Sequence, residues 1–133
     1  MIYGLDKAWL LKHPDVVNMN HAQLFNEVQK VNGLMIQAHP FRLRSSYMDS
    51  MCQHPYACHG IEVYNAGNYR KIENDMAALY AKAFNFPVTS GTDIHDVNVL
   101  NEPLIVGGMA FDKPLTDIMD YARRIKNYEG QII

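Results

Sequence analysis

Apolar positions along the chain switch repeatedly between the period of a strand and the period of a helix. Ile2-Tyr3-Gly4-Leu5 is strand-like and closes on a glycine. Asp6 to His13 fits a short helical turn with Trp9 and Leu10 inward, stopped by Pro14. Asn20 and Gln23, three apart, have the form of a capping box, and Leu24, Phe25, Val28 and Val31 recur at helical spacing until Gly33 closes the helix. The run Leu34-Met35-Ile36 then reads as a buried strand ending near His39, followed by a long polar loop from Phe41 to His59. Gly60-Ile61-Glu62-Val63-Tyr64-Asn65 alternates as a third strand, with Ile61 and Val63 on one face and Glu62 and Tyr64 on the other. A helix over about 68–85 carries Ile72, Met76, Leu79, Tyr80 and Ala83 as its core stripe.

The second half repeats the alternation. Val88 opens a strand after Pro87 that runs into Ser90-Gly91-Thr92-Asp93-Ile94-His95. Residues 103–111 read as another strand, weakened by Gly107 and Gly108. Thr116 caps a helix carrying Ile118, Met119, Ala122 and Ile125, with Asp117 and Asp120 near its start and Arg123, Arg124 and Lys126 near its end, as the helix dipole favours. Gly130 ends it, and Gln131-Ile132-Ile133 is a last strand. Such alternation predicts an α/β layer or barrel with mostly parallel strands.

Composition narrows the function classes. In 133 residues, 48% hydrophobic and 20% charged, there is material for one domain with a real core. The net charge of -2, with basic residues scattered, leaves no footprint for nucleic acid or an anionic membrane. No apolar run is long enough to span a bilayer and no targeting signal opens the chain, so the default expectation is cytoplasmic. Cys52 and Cys58 lack the second ligand pair of a zinc knuckle and read as reduced, partly buried thiols. His13 and His21 read as surface residues.

Candidate chemistry gathers at two strand ends. Asp93 and His95, two apart, lie on one face of an extended strand and can reach one metal ion; the other reading is a surface loop in which Asp93 caps a turn and His95 is solvated. His39, after the Leu34 strand, repeats the design, although a lone histidine there also fits a satisfied structural residue. Ligands of α/β sheets collect at the carboxyl ends of parallel strands, so the two stretches are expected to converge. Arg42 and Arg44 suit a phosphate clamp or a solvated surface equally. An inward Glu62 needs a cation as partner or a place beside a metal ligand.

Three stretches in this order, Ala38-His39-Pro40-Phe41-Arg42, Gly60-Ile61-Glu62-Val63-Tyr64-Asn65 and Ser90-Gly91-Thr92-Asp93-Ile94-His95, supported by Gly107-Gly108-Met109-Ala110-Phe111, resemble the polymerase and histidinol phosphatase (PHP) domain of metal-dependent phosphoesterases. The resemblance covers nearly the whole chain. It implies a distorted (β/α)7 TIM-like barrel with divalent zinc, manganese or iron at the carboxyl ends of its strands, His39, Asp93 and His95 as metal ligands, Asp93 and His95 as the catalytic pair, and Arg42 and Asn65 toward substrate. Glu62 would bond to a ligand. The family's early His-x-His has no counterpart among the six histidines. The expectation is therefore one domain over 1–133 that matches the carboxyl-terminal portion of the family, an incomplete barrel lacking amino-terminal strands and their ligands.

Such a site would hydrolyse a small phosphate ester: metal ions bind the phosphate oxygens, acidify a bound water and stabilise in-line attack. Two other functions compete. One is a non-catalytic fragment that acts through association with itself or a complementing chain, since an incomplete barrel leaves open sheet edges. The other is a metal-dependent amidohydrolase-like enzyme, which shares the ligand types.

Overall fold

A computed structural model describes residues 1–43, 56–98 and 106–133. Its centre is a four-stranded sheet of β1 (Ile2–Tyr3), β2 (Leu34–Gln37), β3 (Gly60–Asn65) and β4 (Val88–Gly91), in that spatial order. β2, β3 and β4 run parallel, with Ile36 opposite Gly60 and Ile61 opposite Val88. β1 pairs antiparallel to β2, placing Ile2 opposite Met35 and Tyr3 opposite Leu34. An irregularity between Glu62 and Tyr64 shifts the β3–β4 register. A separate antiparallel pair joins β5 (Met109–Ala110) to β6 (Gln131–Ile132).

Both faces of the parallel strands are covered, as their near-continuous apolar sequences require. On one face lie α2 (His21–Lys30) and α3 (Lys71–Ala83), where Phe25, Val28, Met35, Ile61, Val63, Ala77, Ala81 and Phe86 form one buried cluster. On the other face, α4 (Ile118–Lys126) sends Ala122 and Ile125 against Leu34 and Ile36, flanked by Tyr3, Met109, Phe111 and Tyr121. The remaining helix, α1 (Lys7–Lys12), is capped by Asp6, whose carboxylate accepts the Trp9 N–H at 2.7 Å. A 3-10 turn over Pro14–Asn18 follows it.

The expected incomplete (β/α)7 barrel is not what the chain forms. The sheet is open and mixed, and among the described residues no barrel closes. Four short strands are too few to surround a filled interior, for which about eight are needed. The antiparallel β1 ends the parallel series at one edge. The face a barrel would turn inward is packed instead by α4 and the β5–β6 pair.

Several local expectations hold. The α2 capping box is complete: the Asn20 N–H donates to Gln23 Oε1 at 2.9 Å and the Gln23 N–H to Asn20 Oδ1 at 3.0 Å. Others shift. Asn32, at φ 56°, takes the left-handed position after α2 that was expected of Gly33. Asp117, not Thr116, caps α4, accepting from the Met119 and Asp120 N–H groups at 2.8 Å each. Cys58 is a buried free thiol whose desolvation raises its pKa to about 11. Arg44, Cys52 and the start of the 103–111 strand lie outside the described residues.

The largest departure is the rotation of α3. Of its predicted core stripe only Tyr80 packs on the core, while Ile72 is 52% exposed, Met76 45% and Leu79 68%, and Ala83 is exposed too. Glu73, Ala77 and Ala81 are buried instead. The cause lies at the helix start. Glu73 Oε1 accepts the Leu43 N–H at 3.0 Å, and Asn74 Oδ1 accepts the Asn65 N–H at 3.1 Å. These anchors fix the rotational phase, and the two alanines let the helix lie close over Ile61 and Val63. Glu73 Oε2 has no hydrogen-bond partner among the described residues.

Candidate functional site

The carboxyl ends of β2, β3 and β4 carry a continuous polar chain. Glu62 projects from β3 on the face opposite Ile61 and Val63 and is buried. Its Oε2 accepts the backbone N–H of His39 and the Nδ2–H of Asn65, both at 2.8 Å. Gly91 makes room for it on β4, since a Cβ there would stand 2.8 Å from Glu62 Oε1. The expected partner of Glu62 was a cation or a metal ligand; among the described residues the bonded partners are two neutral donors, one of them the backbone of His39.

Asn65 is the hub. Its Oδ1 accepts from Arg42 Nη2 at 2.7 Å and from the Gly67 N–H at 2.8 Å. Its backbone N–H is held by Asn74, and Asn74 also accepts from Asn68 Nδ2 at 2.6 Å. Asn68 in turn accepts the Arg42 Nε–H at 2.8 Å. Arg42, 5% exposed, thus has its guanidinium fixed by two asparagines, and its third nitrogen, Nη1, pairs with Asp93 Oδ2 at 2.5 Å. Three acceptors around one planar fork is the arrangement guanidinium favours over ammonium.

Asp93 and His95 meet by a route other than strand alternation. β4 stops at Gly91, and Asp93 sits in the left-handed region at φ 57°, which aspartate tolerates. The turn brings the His95 ring back onto its own loop: Nδ1 lies 2.7 Å from the Asp93 carbonyl oxygen and 3.8 Å from Asp93 Oδ1. A carbonyl only accepts, so Nδ1 carries a proton, which in the neutral ring assigns the lone pair to Nε2. The ring is 82% exposed.

Arg42, Asp93 and His95 line one cleft of about 450 Å³, together with Gly67, Tyr69 and Asp96. His39, also in the left-handed region at φ 28°, follows β2 but is not among the cleft's lining residues. The structure therefore brings Asp93, His95 and Arg42 together, ties Glu62 and Asn65 to them through the Asn65–Arg42 bond, and does not gather His39 with the pair into a three-donor group. Sequence reasoning missed Asn68 and Asn74. Asparagines at a helix start read as capping material, and only the close packing of α3 on β3 reveals them as braces.

Acid exceeds base here among the described residues: Glu62, Asp93 and Asp96 stand against Arg42, an excess that suits a cation. Asp93 and His95 offer a carboxylate and an imidazole, the donor types a divalent transition ion takes. No group of three or more His, Cys, Asp or Glu side chains able to hold a metal gathers among the described residues, so the pair fits part of a metal shell and does not complete one.

Among the described residues no helix is long and apolar enough to cross a membrane. Comparison with protein-family models, curated proteins and solved structures found no match to the chain.

Proposed function

We propose that the chain is part of a cytoplasmic, metal-dependent phosphoesterase of the PHP kind, acting on a small phosphate ester. The observation that supports this reading is the meeting of Asp93, His95 and Arg42 in one cleft at the carboxyl ends of parallel strands, the position in which α/β proteins hold their ligands. A divalent zinc, manganese or iron ion would supply positive charge and an acidified water. The chain's own residues do the positioning. Arg42 holds the Asp93 carboxylate in one orientation, and the asparagine brace holds Arg42. His95 donates Nδ1–H to its own loop, which leaves Nε2 of the neutral ring as its free donor atom at the cleft it lines. The reading requires donors from outside the described residues, whether from this chain, a second copy or a complementing chain.

A second reading, a non-catalytic module acting through association, is favoured by the incomplete donor set. Elemental analysis of the untagged chain, with hydrolysis of phosphate monoesters and of amides measured in added manganese, zinc or iron, separates the readings. The phosphoesterase reading expects bound metal and phosphate release, with less metal bound in Asp93→Asn and phosphate release slowed by about a hundredfold or more. Amide hydrolysis alone would point to an amidohydrolase-like enzyme. Absence of both metal and turnover would leave the associating module.

A further inference from the structure

We propose that α3 is a self-association surface, on which two copies of the chain pack antiparallel and face to face along Ile72, Met76 and Leu79. The inference stands on the exposed helix and does not depend on the phosphoesterase reading.

The stripe is a contiguous feature. At 100° per residue, Ile72, Met76, Leu79 and Ala83 fall within an arc of about 60° along a helix about 20 Å long. All four are exposed in the folded chain. Single exposed apolar residues need no explanation, but an aligned row running the length of a helix is the form of a helix-pairing seam. The helix cannot bury the row by rotating, because Glu73 and Asn74 hold its phase through Leu43 and Asn65.

The charges point to a second copy as the occupant. Asp75 and Lys82 lie on the same flank of the stripe, about 20° apart around the axis and on opposite sides of its midpoint. A two-fold axis crossing that midpoint sets Met76 against Leu79 and Ile72 against Ala83 of the other copy, and it brings matching flanks to the same side. Lys82 of each copy then lies beside Asp75 of the other, twice over. Parallel pairing would instead carry the two copies of this flank to opposite sides of the seam, where Asp75 and Lys82 of one copy meet neither residue of the other. The row and its charges are thus self-complementary only in the antiparallel sense. Within one chain Asp75 pairs with Lys71 at 2.5 Å, a solvated contact that leaves the carboxylate able to accept from the second copy.

One helix pair covers less than a standard interface, so association is expected with a dissociation constant on the order of tens of micromolar. Sedimentation velocity of the untagged full chain from about 5 to 500 µM, without substrate, tests it. The expected result is a concentration-dependent rise to the dimer mass. Leu79→Lys should raise the dissociation constant by about tenfold or more, since it sets a charge in the seam. Lys82→Asp should weaken association by setting acid against acid, and adding Asp75→Lys to it should restore association. That charge exchange lies on solvated positions and keeps the test independent of any folding defect in Leu79→Lys. A chain that stays monomeric throughout, or one that associates as strongly with Leu79→Lys or with Lys82→Asp as without it, would overturn the proposal.

Discussion

α2 and α3 lie on the same face of the same sheet, and their apolar patterns point in opposite directions. In α2 the periodic positions Phe25 and Val28 turn inward and meet Met35 and Ile61. In α3 the periodic positions Ile72, Met76 and Leu79 turn outward, and Glu73 with two alanines turns inward. The difference shows what sets a helix's rotation. The polar anchors of α2 are its own capping box, which satisfies its first turn and says nothing about rotation relative to the sheet. Burial of its apolar side then decides. The polar anchors of α3 reach out to Leu43 and to the end of β3, so they constrain rotation directly. Breaking them would leave the buried Glu73 carboxylate and the buried Asn65 N–H unsatisfied, at about 1–3 kcal/mol for each group.

Substitutions that probe this contrast have a definite order of effect. Phe25→Ala in α2 should destabilise most, by about 3–4 kcal/mol, because it empties a closed site beneath the helix; urea unfolding gives the number. Ala81→Leu in α3 should cost about 2 kcal/mol by overpacking against β3, although leucine is the more apolar residue. A stabilising Ala81→Leu would mean that the helix lies further from the sheet than described.

Acid tests the rim beneath α2. His59 packs on Phe25 at 4.6 Å between ring centres, and its Nδ1 accepts the Met35 N–H at 3.0 Å. Burial first, and then Lys126, lowers its pKa from 6.5 to about 4. The folded chain therefore holds the neutral ring where the unfolded chain binds a proton. This contribution to stability is present above about pH 6.5 and is lost as pH falls toward 4. Unfolding midpoints measured across that window should decline, and His59→Gln should flatten the decline.

The smallest effect is expected at Leu79. Leu79→Ser should change the stability of the dilute monomer by no more than about 0.5 kcal/mol. A loss of 2 kcal/mol or more there would mean the stripe is packed within the chain, and it would remove the contrast with α2.

Much of the site was legible as residue types and little of it as geometry. Asp93, His95 and Arg42 stand out because carboxylate, imidazole and guanidinium follow apolar strands. The reason expected for the first two, alternation along a strand, is not the one that operates. β4 ends at Gly91, and a left-handed Asp93 with a ring-to-carbonyl bond makes the pairing. Glu62 was recognisable as an inward carboxylate needing partners, but those partners, Asn65 and the His39 backbone, come from strand ends that only the folded sheet makes adjacent. Asn68 and Asn74 carried no signal, since braces look like capping residues until the helix they begin is docked.

Short-range pattern determined the elements themselves: the bounds of β3, the capping box of α2, the strand character of Leu34 to Gln37 and the acid-to-base gradient of α4. These follow from steric and hydrogen-bond preferences acting within a few residues. Tertiary structure alone decided that β1 runs antiparallel, that the sheet stays open, that α3 turns its apolar row outward and that Arg42 spends its guanidinium on Asp93 and two asparagines. For α3 and Arg42 the physical reason is the same. Periodicity reports which side chains share a face, whereas the direction of that face depends on polar partners tens of residues away that must be satisfied once they are buried.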